Sequence, residues 1–423
     1  MIKEIKSIMS TIKEHQYEVF MVGGYVRDYL LNIRNEDYDL ATNMPLEELK
    51  KIIPNLHIMK ENHHRQASTI RIGNKTIEIS TFKGDNIEED LSNRDFTINA
   101  LALDIDNKLI DPNNYKEDLN NRIIKLVKKD GSGLDYDPLR ILRAIRFSLS
   151  HNFTISNNTK EKILEKKELL KTVTKERINN ELLKILSYKE ATRYIDEYRE
   201  LFFIIIPRLK ETYNFDQHNN YHIYDVFHHT LKVIDGVSNN KYLKLAALFH
   251  DIGKPEKFFT DEEGIGHFYG HWETSAKIFN QYCKEYKVDK KTKDIVTSLI
   301  INHDRQLPSK RSNMIKFLQR FNPEYLNLLF ELKKSDILAQ NPIYQEQSLS
   351  KLQDEINRYT SLINEEPVLH EKDLAINGED LISLGYKGKE IGKIKNQLLN
   401  AVTNNKLKNN KKNIIEYLKE RCE

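Results

Sequence analysis

The first third of the chain alternates between two periodicities. "EVFMVGG" is a run of apolar residues that ends in glycines, which predicts a buried strand, and "YVRDYLL" then reads as an amphipathic helix. "YDLAT", "STIRI" and "KTIEISTF" predict further strands, each bounded by turn residues. A strand-like run, Thr76 to Phe82, is joined by a short acidic linker within "FKGDNIEEDLSNRDF" to a helix-like run, Phe96 to Leu103. Past about residue 135 the strand signals fade, and "DPLRILRAIRFSLS", "KEKILEKKELLKTV" and "TKERINNELLKILSY" open a series of helix patterns that continues to the end. The pattern predicts an α+β protein with a small head of mixed sheet and helices, followed by an elongated all-α body. Polar interruptions near His218 to Tyr221 ("DQHNNYH") and in "NEEPVLH" at 364–370 mark candidate boundaries. The chain shows no internal repeat.

Composition narrows the class. The 423 residues are 30% charged and 39% hydrophobic, enough for several cores. The net charge is only +3, so affinity for nucleic acid would have to come from local patches. The most basic stretch is the C-terminal "YKGKEIGKIKNQLLNAVTNNKLKNNKKNIIEYLKE"; read alone, it is a solvated helix face. Two cysteines, Cys283 and Cys422, exclude a disulfide scaffold and fit a reducing cytoplasm. "MIKEIKSIMS" lacks the apolar centre of a signal peptide, and "LFFIII" is too short to span a bilayer. The expectation is a cytoplasmic protein without a membrane partner.

Candidate chemistry appears in two places. In the head, a strand ending in Gly23-Gly24 and turning into a helix lets backbone N–H groups approach an anion, with Arg27 one turn in. Asp37 and Asp39 then stand at i and i+2 of a strand, so both carboxylates face one side. Their repulsion is relieved by cations, and two Mg²⁺ about 4 Å apart would position an attacking hydroxyl against a leaving pyrophosphate. A lone pair of this kind is more often a solvated acidic turn; the anion-binding turn beside it shifts the reading to phosphoryl or nucleotidyl transfer. Asp137 and Arg140, i and i+3 on a predicted helix, offer an acceptor and donors that can read a base edge, and Arg143 and Arg146 extend the row. A salt-bridged surface helix is the competing reading. In the body, His250-Asp251 ends an apolar helix, with further His and Asp in "VFHHTLKVI", "GHWETSA", "LIINHD" and "LKKSDILAQ". That donor set suits Zn²⁺, Mn²⁺, Fe²⁺ or Mg²⁺.

As an ordered set, GGxVRD, DxD, RDFTINAL, DPLRILRAxRF and "ERINNELLK" resemble the class II tRNA nucleotidyltransferases and bacterial poly(A) polymerases over roughly residues 18 to 190. The resemblance implies that Asp37 and Asp39 are catalytic and hold Mg²⁺, and that Gly23, Gly24 and Arg27 bind triphosphate. It assigns Arg94 and Asp95, with Asn99 in the same motif, to the ribose side of the nucleotide, Asp137 and Arg140 to the base, and Arg143 and Arg146 to supporting the nucleotide. Glu78 is a weaker candidate for a third carboxylate. Two positions depart from the family pattern: Asn93 stands where a first arginine is usual, and Tyr136 where a glutamate steadies the base-reading arginine, with Asp135 as a compensating acid. Residues 222 to 340 resemble an HD phosphohydrolase domain. This implies His229, His250, Asp251 and Asp336 as metal ligands, His271 and His303 as ligands of a second metal, Lys254 as a phosphate contact, and a phosphohydrolase side activity. The tail resembles the segment that grips tRNA in such enzymes, which turns its lysines into phosphate contacts. The expected division is 1–135 nucleotidyltransferase head, 136–220 helical neck with the base-reading helix, 221–345 HD domain and 346–423 tRNA-binding tail.

The implied activity is template-independent extension of the tRNA 3′ end from CTP. Complete CCA addition with ATP as well, and less so poly(A) synthesis, are the alternatives within the class. A phosphohydrolase whose head only binds RNA is the rival from another class. In complete CCA-adding relatives a longer, mobile, basic-aromatic segment follows the strand matching "IEISTF"; here only "KGDNIEEDLSN" separates Phe82 from Arg94. That shortening implies an enzyme that adds two cytidines and leaves the adenosine to a separate A-adding partner.

Overall fold

The computed structural model describes residues 3–53, 57–58, 67–72 and 75–420, so Cys422 lies outside the described residues. The chain divides into two compact units, Met1–Ile205 and Ile206–Glu423. The first is built on a mixed seven-stranded sheet. Its elements begin with α1 (Lys3–Glu14), β1 (Val19–Val22), α2 (Gly23–Leu30), β2 (Tyr38–Thr42), α3 (Leu46–Ile52), β3 (His57–Ile58), β4 (Ala67–Ile72) and β5 (Lys75–Thr81). There follow α4 (Ile87–Ser92), β6 (Ala102–Leu103) and β7 (Leu109–Ile110), and the strand order is β3-β4-β5-β2-β1-β6-β7. β2 and β5 run parallel, with Tyr38 opposite Ile77, Asp39 opposite Glu78 and Leu40 opposite Ile79. Alternation does the sorting: Tyr38, Leu40, Ile77 and Ile79 are buried, each contributing about 1.5–3 kcal/mol. Asp39 and Glu78 consequently share the opposite face.

Past the sheet come α5 (Lys116–Asn120), α6 (Ser132–Tyr136) and α7 (Arg140–His151). Two expectations are corrected here. Phe96 to Leu103 is not a helix but a 3₁₀ turn at Thr97–Asn99 followed by β6, because Ala102 and Leu103 pair with β1. Asp137 does not share a helix with Arg140: Pro138 follows it, its backbone is extended (φ −140°, ψ 92°), and α7 starts at Arg140.

The second unit is helical apart from a hairpin at Phe259–Thr260 and Gly266–His267. Helices Val226–Gly236, Lys241–Phe249, His271–Glu285, Lys290–Asn302 and Leu326–Leu338 pack around Phe227, Phe249, Phe279, Leu299 and Leu332, all buried. Near the C-terminus Leu374, Leu381, Leu398, Ile414 and Leu418 form a small separate core. Lys387, Lys389 and Lys393 are exposed there. No described helix is long and apolar enough to cross a membrane.

Candidate active site

β1 delivers the chain to Gly23, which turns it into α2 with φ +69°. A side chain at that position would lie 2.8 Å from Asp39 Oδ2, so glycine supplies both the conformation and the room for the carboxylate. Gly23, Gly24, Arg27, Asp37, Asp39, Glu78, Arg94, Asn99 and Arg143 together line one cleft of about 690 Å³. The helix N-terminus, the arginines and the carboxylates thus line one cleft, as an anionic nucleotide bridged by cations requires. All-oxygen donors of this kind fit Mg²⁺. Glu78 sits beside Asp39 in register, but among the described residues no third donor closes on Asp37 and Asp39 to within 4.8 Å.

The arginines are held by a continuous network. Arg27 Nε donates to Asp28 (2.8 Å) and another guanidinium nitrogen donates to Asn99 Oδ1 (2.8 Å). Asn99 in turn donates to Asp95 Oδ1 at 3.0 Å, and Arg143 grips Asp95 Oδ2 with two nitrogens at 3.0 and 2.6 Å. Burial works to raise the Asp95 carboxyl; Arg143, Asn99 and Arg140 outweigh it and hold the group well below the usual carboxylate range. Asp95 is therefore a buried, fully engaged anion that orients Arg143.

A smaller cavity of about 160 Å³ brings Asp137 and Arg140 together with Arg94, Asp95 and Arg143. Arg140 donates to the backbone carbonyls of Asn93 (2.9 Å) and Arg94 (3.2 Å). Those carbonyls perform the steadying expected of an acid at 135 or 136; Asp135 is paired with Lys166 instead. Tyr136 turns its ring under Lys83, 4.4 Å from the ammonium. Arg146 lines neither cavity, because Glu181 binds its Nε at 2.6 Å.

Three contributors escaped the sequence reading. Asp90, in the linker, is buried and receives Arg94 Nε and a second guanidinium nitrogen at 3.0 and 2.7 Å. The i, i+4 spacing of Asp90 and Arg94 was the available signal. Arg177 holds both Asp137 oxygens at 3.1 Å, and Glu181 holds Arg146; both lie in the quoted "ERINNELLK".

In the second unit all six expected ligands converge. His229, His250, Asp251 and Asp336 form one set and Asp251, His271 and His303 another, each with donor atoms within 4.8 Å and every residue buried. His250, His271 and His303 turn Nδ1 to the carbonyls of Ala247, Phe268 and Ile300 at 2.7, 3.0 and 2.7 Å. This arrangement fixes the tautomer and leaves Nε2 facing inward, the usual outer support of metal-bound imidazoles. Asp251 joins the sets, with His271 Nε2 3.1 Å from Oδ1 and His250 Nε2 3.2 Å from Oδ2. Asp251 Oδ1 is buried without a hydrogen-bond partner while Oδ2 lies against the Lys254 ammonium, so the centre has the donors of a cation site and one carboxylate oxygen left for it. Lys254 lies against Asp251 (2.7 Å) and Gln217 (2.8 Å), its ammonium committed inside the protein.

A glycine turn and the Asp37 and Asp39 carboxylates in one cleft define a nucleotidyltransferase-type head, and the second unit is helical. The comparisons agree. The poly A polymerase head domain family matches residues 19–125, the family described as "Probable RNA and SrmB- binding site of polymerase A" matches 152–211, and "tRNA nucleotidyltransferase domain 2" matches 256–418. The chain belongs to the tRNA nucleotidyltransferase and poly(A) polymerase family. It is 38% identical to a CC-adding tRNA nucleotidyltransferase of Halalkalibacterium halodurans over 44% of this chain and 48% of that protein. It is 28% identical to an A-adding tRNA nucleotidyltransferase of Deinococcus radiodurans over 73% of this chain and 74% of that one. The first of these matches spans about half the relative's length. In fold, the chain is similar to the Bacillus stearothermophilus CCA-adding enzyme solved in complex with CTP, at TM-score 0.61 and 22% identity over 99% of this chain and 97% of that one. The Thermotoga maritima CCA-adding enzyme complexed with tRNA aligns at TM-score 0.55 and 20% identity, over 99% and 96%.

Proposed function

We propose that the chain is a template-independent tRNA nucleotidyltransferase that adds cytidines to the tRNA 3′ end from CTP and stops at CC. The observation that carries the nucleotidyltransferase reading is the single cleft in which Asp37 and Asp39 face Gly23, Gly24, Arg27 and Arg94. In the reaction the terminal 3′-oxygen forms a bond to the α-phosphorus of CTP, the bond from that phosphorus to the bridging oxygen breaks, and pyrophosphate leaves. Asp37 and Asp39 would hold Mg²⁺, which would supply positive charge for the attacking and leaving oxygens. The α2 N-terminus and Arg27 orient the triphosphate, and Asp95 keeps Arg143 aimed into the cleft. Arg94 forms the ribose wall with Asp95 behind it, and Asp137 with Arg140, set by Arg177 and two carbonyls, reads the base.

The CC limit rests on the short 83–93 connection and on the likeness to the CC-adding relative. Exposed tail lysines supply tRNA phosphate contacts. The test is purified protein with tRNA lacking its 3′ terminus, given CTP alone, ATP alone, or both. CC and no further product is expected; a full CCA end at ordinary ATP levels refutes the limit, and no incorporation of any nucleotide refutes the assignment.

A second reading applies to the second unit. The paired His/Asp sets favour a divalent-metal phosphohydrolase centre acting on damaged tRNA 3′ ends.

A further inference from the structure

Arg27 commits two of its three guanidinium nitrogens inside the protein, Nε to Asp28 and Nη1 to Asn99, each at 2.8 Å. The third, Nη2, takes no hydrogen bond among the described residues and lies at the glycine turn, 3.5 Å from where a side-chain carbon on Gly24 would stand. Its direction is therefore set largely by Asp28, which is itself buried. Asn35 donates to Asp28 Oδ2 at 2.6 Å. Oδ1 receives Arg27 and also stands 3.4 Å from Nε2 of His151, a residue that no motif singled out. Burial works to raise the Asp28 carboxyl; His151, Arg27 and Asn35 outweigh it and hold the group below its ordinary value.

An ionised carboxylate only accepts, so the imidazole must donate from Nε2. Nδ1 faces the Ser150 hydroxyl at 2.6 Å and, further off, the Phe147 carbonyl at 3.3 Å, and neither displaces that donor. The His151 side chain is 10% exposed, so little water competes for the contact. His151 is the last residue of α7, with its ring against Phe147 and Phe153 at 6.2 and 5.7 Å. The helix that opens with Arg140 and grips Asp95 through Arg143 thus ends on the carboxylate that aims Arg27. One element sets both the base side and the triphosphate side of the cleft.

We infer that His151 is a positioning residue for nucleotidyl transfer: through Asp28 it holds the Arg27 guanidinium so that Nη2 meets the triphosphate at the glycine turn. The inference rests on the reading of Arg27 as a triphosphate contact, and the experiment separates the two.

Full-length protein is assayed for CTP incorporation into tRNA lacking its 3′ terminus, with inorganic tripolyphosphate, which has neither base nor ribose, as competitor. Arg27→Ala should raise KM for CTP and the tripolyphosphate inhibition constant by about tenfold or more. His151→Phe keeps a ring against Phe147 and Phe153 without the donor; it should raise both by about fivefold with kcat changed less than about twofold. His151→Gln, whose amide can donate to Asp28, should stay within about twofold of wild type. In an Arg27→Ala background His151→Phe should add nothing. Thermal unfolding checks that each variant is folded, and His151→Leu replaces His151→Phe if that chain is not. Tripolyphosphate inhibition unchanged by His151→Phe, a loss confined to kcat, an equal loss in His151→Gln, or a full further loss in the Arg27→Ala background overturns the positioning role and leaves the Arg27 reading standing. Tripolyphosphate inhibition unchanged by Arg27→Ala overturns that reading and the inference with it.

Discussion

Replacing Asp90 by alanine isolates what the linker contributes to the nucleotide cleft. Its carboxylate takes two nitrogens of Arg94 and, through the other oxygen, the backbone N–H of Lys83 at 3.0 Å. The two side chains are only 2% and 12% exposed. Breaking a buried ion pair from one side costs about 3–5 kcal/mol, because the surviving charge is left uncompensated. Arg94 borders an open cleft, so water recovers part of its solvation, and the lower end of that range is expected, about 3 kcal/mol with the lost Lys83 acceptor included. Asp90→Asn keeps an acceptor for Lys83 and removes only the charge, which places it between wild type and alanine. Urea unfolding of the full chain, followed by a signal from the first unit, measures the stability difference. CTP kinetics measure the functional side: Arg94 released from Asp90 no longer holds the ribose wall, so KM for CTP rises by roughly tenfold, equivalent to about 1.4 kcal/mol. An alanine variant within about 0.5 kcal/mol of wild type, the ordinary scatter of surface changes, and with unchanged KM refutes the reasoning.

Other consequences can be measured alongside. Gly23→Ala places a carbon 2.8 Å from Asp39 Oδ2 on a backbone at φ +69°, so CTP incorporation falls by at least about tenfold through displaced carboxylate and costs of about 1–2 kcal/mol in backbone strain, checked by turnover and by thermal unfolding. Asp95 is depressed in the fold, so its stabilisation is fully present above the unfolded carboxylate value near ~3.9 and is lost as pH falls below that toward its folded value. Acid unfolding of Asp95→Asn should accordingly show a shallower limb below about pH 4 than wild type. Arg177→Ala frees Asp137 and should narrow the preference for CTP over other nucleotides by about tenfold, read from kcat/KM ratios. A His250→Ala, Asp251→Ala variant should lose bound metal by elemental analysis and cyclic-phosphate hydrolysis together, while CTP incorporation persists.

Much of this arrangement was legible because the chemistry repeats in local patterns. Alternation put Asp39 and Glu78 on one face and Ile77 and Ile79 on the other, and the register between β2 and β5 then set the acids side by side. The six second-unit residues could be named because the ordered His and Asp motifs resemble an HD domain, and the structure brings all six into two sets that could hold a metal. What stayed hidden depended on long-range geometry. Asp137 and Arg140 look like a helical pair at i, i+3, yet proline at 138 ends that continuity, and each residue finds its partner some forty residues away, in Arg177 and in the Asn93 and Arg94 carbonyls. Run 96–103 has the apolar content of a helix, and only pairing with β1 makes its end a strand.

Under the CC-limited reading proposed above, the linker restricts the choice of base through its internal ties. Asn86 caps α4 by accepting the Glu89 N–H at 2.9 Å, Glu89 Oε2 accepts the Asp85 N–H at 3.0 Å, and Asn93 Nδ2 donates to the carbonyls of Lys83 and Glu89 at 3.2 and 3.0 Å. Gly84, at φ +117°, leaves room for Glu89 where any side chain would collide at 2.4 Å. The segment is tied at nearly every residue, and its last carbonyls are the ones that clamp Arg140. A base reader exchanges one hydrogen-bond pattern for another only if its supports can move, and a tied connector gives Arg140 one position. Loosening the tie therefore tests the connection between rigidity and selectivity: Asn86→Gly with Asn93→Ala, which leaves every cleft-lining charge in place, should raise ATP incorporation relative to CTP. Selectivity unchanged in that pair of substitutions, with α4 demonstrably loosened by hydrogen exchange, means that base choice is set by Asp137 and Arg140 alone.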